Sequence, residues 1–153
     1  LWAINMGGTS QDSGNGVAVD GSGNVVVTGY FDGTADFDPG AGTANLTSNG
    51  SNDIFIAKYD ASGNYIWAIN IGGSPFDVGN GMAVDASGNV VVTGYFSGTA
   101  DFDPGPDTFK LYTGVYPLNY KQHFITKLRP CPYNLTTINE TSNKHFEIKT
   151  LGF

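Results

Sequence analysis

"VAVDGSGNVVVTGYF" at Val17–Phe31 is followed 65 residues later by "MAVDASGNVVVTGYF" at Met82–Phe96. Each copy reads as strand, tight turn, strand. The Asp-x-Ser-Gly-Asn centre supplies a side-chain acceptor for turn N–H groups and a glycine for a positive-φ position, which is the chemistry of a short hairpin loop. Around this core the self-similarity extends outward. Gly14–Thr43 and Gly79–Thr108 agree at 25 of 30 positions, and "WAIN" at Trp2–Asn5 returns at Trp67–Asn70. An internal repeat of this length implies one supersecondary unit used more than once.

Two further strands complete the unit, "DIFIAKYD" at Asp53–Asp60 and "NYIWAINIG" at Asn64–Gly72, joined by a second turn, "DASGN". The segment between the hairpins, Asp32–Asn52, reads as a long connection. Alternate residues of a strand face opposite sides. In "NVVVTGYF" both sides are apolar: Val25, Val27 and Phe31 oppose Val26, Thr28 and Tyr30. A sheet with one wet face would alternate apolar and polar residues, so these sheets are expected to be covered on both sides. Four-stranded sheets stacked on like neighbours achieve this without helices, and Gly29 and Gly94 in mid-strand permit close approach. The expected fold class is all-β: β-propeller blades, about two four-stranded antiparallel sheets, forming an open or partial propeller. The expected organisation is residues 1–13 as the last strand of a preceding blade, 14–78 as a first blade, 79–128 as a second blade with a divergent end, and 129–153 as a divergent tail holding at most one strand.

These motifs, "VAVDGSGNVVVTGYF", "DIFIAKYDASGNYIW" and the second-copy "HFITKL", resemble the bacterial SBBP-type β-propeller repeats of secreted and cell-surface proteins, over roughly residues 1–128. The resemblance implies one blade per repeat and an extracellular, bacterial setting, and it implies no enzyme activity. A closed propeller needs about four to eight blades. The chain therefore reads as part of a longer array, with further blades of the same parent chain as partners.

Charge narrows the partner classes. All twelve Asp and a single base, Lys58, fall in residues 1–109, for a charge of −11, whereas residues 110–153 carry +4. An acidic body repels phosphate backbones, so nucleic acid is not an expected partner. A protein or glycan ligand on the loop face is expected instead. No stretch approaches the roughly 18 apolar residues of a membrane span. The single cysteine, Cys131, excludes an intrachain disulfide, and with only His123 and His145 there is no Cys/His metal cluster.

The octapeptide "GTADFDPG" occurs unchanged at Gly33–Gly40 and Gly98–Gly105. Two readings compete. Asp36 and Asp38, and equally Asp101 and Asp103, stand two apart, so in an extended backbone their carboxylates share a side and could serve a hard cation, calcium being the one to name. Alternatively Asp-Pro-Gly is turn chemistry: Asp38 accepts backbone N–H groups, Gly40 takes the left-handed position and Phe37 plugs the blade edge. No catalytic residues are expected. A glycosidase needs two carboxyl groups in different environments, and the repeats contain no Glu and the same Asp pair twice. The expected function is a non-catalytic extracellular scaffold for binding or display. The alternative is the non-catalytic portion of a secreted carbohydrate-active enzyme.

Overall fold

The computed structural model describes residues 1–113, 120–130 and 146–147. Cys131, His145 and most of the tail lie outside them. Among the described residues there is no helix, and every ladder between strands is antiparallel apart from one isolated parallel bridge between Asn52 and Phe76.

The first blade is a four-stranded meander: β2 (Asp12–Val19), β3 (Val25–Asp36), β4 (Asn45–Tyr59) and β5 (Tyr65–Ser74), preceded by the short β1 (Gly7–Gly8). The second blade repeats it with β6 (Asp77–Val84), β7 (Val90–Ser97), β10 (Lys121–Pro130) and β11 (Phe146–Glu147), interrupted by β8 (Thr99–Asp101) and β9 (Lys110–Tyr112). Both blades begin two residues earlier than the sequence pattern suggests, at Asp12 and Asp77. The cause is a bulge between Gly14 and Gly16, and its copy between Gly79 and Gly81, which hides the leading residues from a simple alternation.

The turns form as their residues dictate. In "DGSGN" the Asp20 carboxylate accepts the N–H groups of Ser22 (2.8 Å) and Asn24 (3.0 Å) while Gly23 takes φ 82°, and Asp60 and Asp85 repeat the pattern. Gly29 and Gly94 sit where a Cβ would collide with the carbonyl oxygens of Ser13 and Val78, so the first two strands of each blade approach as only glycine allows.

The long connection is the main difference from the sequence reading. Asp32–Asn52 is largely paired: Thr34–Asp36 form a ladder with Asn45–Thr47, which extends the β3–β4 hairpin beyond the blade. One cluster, including Val26, Ile54, Ile56, Val92, Phe124 and Leu128, fills the junction between the blades. A second, built on Phe31, Phe37, Phe55 and Tyr59, lies on the other side of the first blade. A Cβ at Gly79 would collide with Thr28 Oγ1 and lie 3.1 Å from Ile54 Cγ2, so this glycine is what lets the blades meet. Asn15 Nδ2 donates to the Gly79 carbonyl (2.9 Å) across the same junction.

Candidate functional site

The two octapeptides form the tips of hairpin extensions. Gly33 and Gly98 both take φ 71°, the left-handed conformation that turns each chain out of its blade. The sequence reading placed that conformation at Gly40, where the backbone does not adopt it. Beyond the glycine, Ala35 and Asp36 pair with Gly8 and Gly7, and Ala100 and Asp101 pair with Gly73 and Gly72. Each octapeptide is thus hydrogen-bonded to the end of the strand that precedes its own blade, and ties successive units together.

The four sequence-selected aspartates fall in this tip. Asp36 Oδ1 accepts the N–H groups of Asp38 (3.0 Å) and Ala44 (2.8 Å), and Asp38 Oδ1 accepts that of Gly40 (2.8 Å). In the second copy Asp101 Oδ1 accepts from Asp103 (3.1 Å) and Phe109 (2.8 Å), and Asp103 Oδ1 accepts from Gly105 (2.7 Å). The backbone N–H of Ala44, followed by that of Asp38, holds the Asp36 carboxyl below the usual carboxylate range. Between the aspartates, Phe37 lies buried against Phe31 (5.6 Å, edge-on) and Phe55 (5.0 Å), as Phe102 lies against Phe96 and Phe124 (5.5 and 4.8 Å). Among the described residues no group of three or more His, Cys, Asp or Glu is gathered as a metal site.

Asp12 turns to the preceding strand: its Oδ2 accepts the Gly8 N–H (2.7 Å) and its Oδ1 is buried without a partner. Asp77 repeats this toward Gly73 (2.7 Å) and also accepts the Ser97 N–H (3.3 Å). Asp53 escaped the sequence reading, because an Asp opening a strand looks like a turn residue. It is 0% exposed, as is Asp77. A Cβ on Gly72 would lie 2.8 Å from both Asp53 Oδ1 and Asp77 Oδ2, so the two carboxylates converge over this glycine. Burial above all, with the Asp53 charge adding, pushes the Asp77 carboxyl up to about 7. Burial raises Asp53 as well, against the lowering effect of hydrogen bonds from Asn49 and Asn70. The pair is thus enclosed at the blade junction.

His123 is exposed on β10. Lys58 bonds Asp20 (2.7 Å) in the first blade and Lys127 bonds Asp85 (2.6 Å) in the second, which fastens the third strand to the first hairpin at equivalent places.

The fold and these ties define a repeat protein of propeller-type blades, here an open pair. One of two comparisons agrees with that class. A 116-residue stretch is 34% identical to the uncharacterized WD repeat-containing protein L264 of Acanthamoeba polyphaga mimivirus, covering 65% of this chain and 8% of that protein. A 94-residue stretch is 31% identical to the regulatory protein FlaEY of Caulobacter vibrioides, covering 61% of this chain and 10% of that one. The chain spans a tenth or less of the curated relatives it matches. No family model and no solved structure matches it.

Proposed function

We propose that the chain is a section of a non-catalytic, secreted repeat scaffold of the SBBP type, which displays its octapeptide tips and blade-connecting loops to a protein or glycan ligand. The observation that carries this reading is the repeated tie of each GTADFDPG hairpin to the strand preceding its blade: an octapeptide repeated without change is spent on joining units. Likeness to a WD repeat-containing protein supports the scaffold role. The non-catalytic reading is supported by the acidic side chains themselves, which either accept backbone N–H groups in the tips or lie enclosed between blades.

Calcium held by Asp36, Asp38, Asp101 and Asp103 belongs to this proposal as a stabiliser of the tips. Binding of the chain to arrayed extracellular proteins and polysaccharides, with and without calcium, tests both parts. Expected are a saturable ligand weakened by Asp38→Ala/Asp103→Ala with the circular dichroism unchanged, and a melting temperature raised by calcium in the parent chain only. Release of reducing ends from any polysaccharide would overturn the scaffold. Identical melts with calcium and with chelator would remove the cation.

A further inference from the structure

Asp53 of the first blade and Asp77 of the second bring two carboxylates together across the blade junction, and their oxygens can be followed one by one. Asp53 Oδ2 accepts the backbone N–H of Asn49 (3.0 Å) and faces the Nδ2 groups of Asn49 (3.4 Å) and Asn70 (3.5 Å). Asp77 Oδ2 accepts the Gly73 N–H (2.7 Å), and Asp77 Oδ1 that of Ser97 (3.3 Å). Asp53 Oδ1 is left buried and without a donor. It converges on the same spot as Asp77 Oδ2, since a Cβ built on Gly72 would lie 2.8 Å from each. Both residues are 0% exposed, so bulk water does not supply the missing donor.

Two buried carboxylates side by side need a positive charge or a proton between them. Lys58, Lys121 and Lys127 are engaged elsewhere: Lys58 is bound to Asp20 and Lys127 to Asp85, while Lys121, opposite Ser97, holds its ammonium 3.9 Å over the Tyr95 ring. The titratable groups on the other strands around the pair are acids and phenols. Asp12 on β2 is turned to Gly8, Tyr30 and Asp32 on β3 stand opposite Ile54 and Asn52, Tyr95 on β7 stands opposite Val78, and Asp101 on β8 stands opposite Gly72. A bound cation fits the site poorly. Calcium takes about six to eight oxygens, whereas three of these four already accept N–H groups, and no third acidic ligand is gathered with them among the described residues.

A proton meets the geometry without further ligands. We propose that Asp53 and Asp77 share one proton, which closes an O–H···O bond between Asp53 Oδ1 and Asp77 Oδ2 and so latches the first blade to the second in a pH-dependent way. The bond gives the orphaned oxygen its partner and leaves one negative charge, which the N–H groups of Asn49, Gly73 and Ser97 face. Close carboxyls share a proton because the second ionisation would set like charges side by side. Burial raises both carboxyls, Asp77 to about 7, in keeping with a proton held into the neutral range. A proton held above the unfolded chain's value adds stability in acid, and that stability is lost as the pH climbs through neutrality. The blade junction is therefore tightest in acid. The latch lies inside the repeat array and needs no external ligand, so a failed ligand screen leaves it standing.

Infrared spectra of the full chain at about pH 6, in H2O and in D2O, test the shared proton directly, because ordinary carboxyls are ionised there. The parent should show a protonated-carboxyl C=O band equivalent to one group per chain and shifted in D2O. The band should vanish in Asp53→Asn as well as in Asp77→Asn. In either variant the Asn Nδ2–H can take the proton's place, so the circular dichroism should be unchanged. A parent without the band overturns the inference. So does a band that survives Asp53→Asn, which would mean that Asp77 holds its proton alone. Urea midpoints give a second measurement: from about pH 4.5 to 7.5, Asp53→Asn, which leaves Asp77 in place, should flatten the parent's fall in stability nearly as far as Asp77→Asn does. An unchanged slope in Asp53→Asn overturns the latch. A melting temperature that calcium raises in the parent and in Asp38→Ala/Asp103→Ala, but not in Asp53→Asn, would overturn it in favour of a cation.

Discussion

β4 and β10 are the same strand in two blades, and they differ in what covers them. In β4 the residues from Asp53 to Ala57 are all buried, so both faces are hidden. In β10 burial alternates: Phe124, Thr126 and Leu128 are covered, while His123, Ile125 and Lys127 are exposed. Phe55, Ile56 and Lys58 recur as Phe124, Ile125 and Lys127, so the contrast between buried Ile56 and exposed Ile125 comes from neighbours. β4 has the second blade on its Ile54–Ile56 side and the Phe37 plug on the other, whereas β10 has the Phe102 plug and the first blade together on its Phe124 side, and no blade among the described residues covers its Ile125 side. Burial in a stacked repeat is thus a property of the junction rather than of the strand, as expected where each unit contacts only its neighbours.

The sharpest way to break this comparison is one substitution at both places. Ile56→Asp puts a carboxylate into the closed junction, losing the packing of a buried Ile and stranding a charge, an expected loss of at least about 5 kcal/mol, the scale of a domain's whole stability. Ile125→Asp falls on an exposed position and should stay within about 0.5 kcal/mol. Urea midpoints at a concentration where the chain is monomeric decide the matter. Similar losses at both positions would mean that β10 has a covering not seen among the described residues.

The turn and strand chemistry was legible because it is local: "DGSGN" closes on its own Asp20, and the Val-rich strands alternate as the pleat requires. The apolar second face of β3 was legible for the same reason. What the sequence hid depends on partners far along the chain. Asn45–Asn52 is polar and glycine-bearing, so it reads as loop, yet its first residues become strand because Thr34–Asp36 lie beside them and are themselves pinned to Gly7 and Gly8. The left-handed turn sits at Gly33 rather than Gly40 because the chain must leave the blade before the tip, a demand of the hairpin extension and not of Asp-Pro-Gly. Within the candidate site, the octapeptide's importance could be read from its repetition, but the carboxylates buried at the junction could not. Asp53 has no acidic counterpart in the second copy, where Gln122 stands.

Asp77 and Asp12 occupy matching positions, but only Asp77 is closed over by the first blade and set against Asp53. Its carboxyl, ordinarily near 3.8, is raised to about 7. A raised carboxyl contributes stability that is fully present below about pH 4, where folded and unfolded chains are both protonated, and is lost as the pH climbs to about 7. Asp20, Asp36, Asp60 and Asp85 are shifted downward instead, so their contribution is lost only below about pH 4 and does not overlap this window. Stability should therefore fall between about pH 4.5 and 7.5, by up to about 4 kcal/mol if the whole shift is expressed. Asp77→Asn should flatten most of that slope, leaving the part that comes from Asp53, whose carboxyl burial also raises. Denaturant titrations at several pH values check it, and an undiminished slope in the variant would assign the effect elsewhere.

The smallest expected difference concerns the two lysine ties. Lys58 and Asp20 have side chains 18% and 9% exposed, whereas Lys127 and Asp85 are 49% and 34% exposed at nearly the same separation. Surface pairs are worth about 0–1 kcal/mol and weaken with salt, while removing one partner of a more buried pair leaves a poorly solvated charge behind. Lys127→Met should accordingly cost under about 1 kcal/mol. Lys58→Met should cost about 1–2 kcal/mol, moderated because Asp20 keeps its bonds from Ser22 and Asn24. Double-mutant cycles with Asp20→Asn and Asp85→Asn isolate each coupling. If stacking on a second blade is what distinguishes the two ties, the Lys58 coupling should persist in 0.5 M salt and the Lys127 coupling should fade; equal fading would show that both ties are solvated alike and that the first blade's advantage is confined to its apolar core.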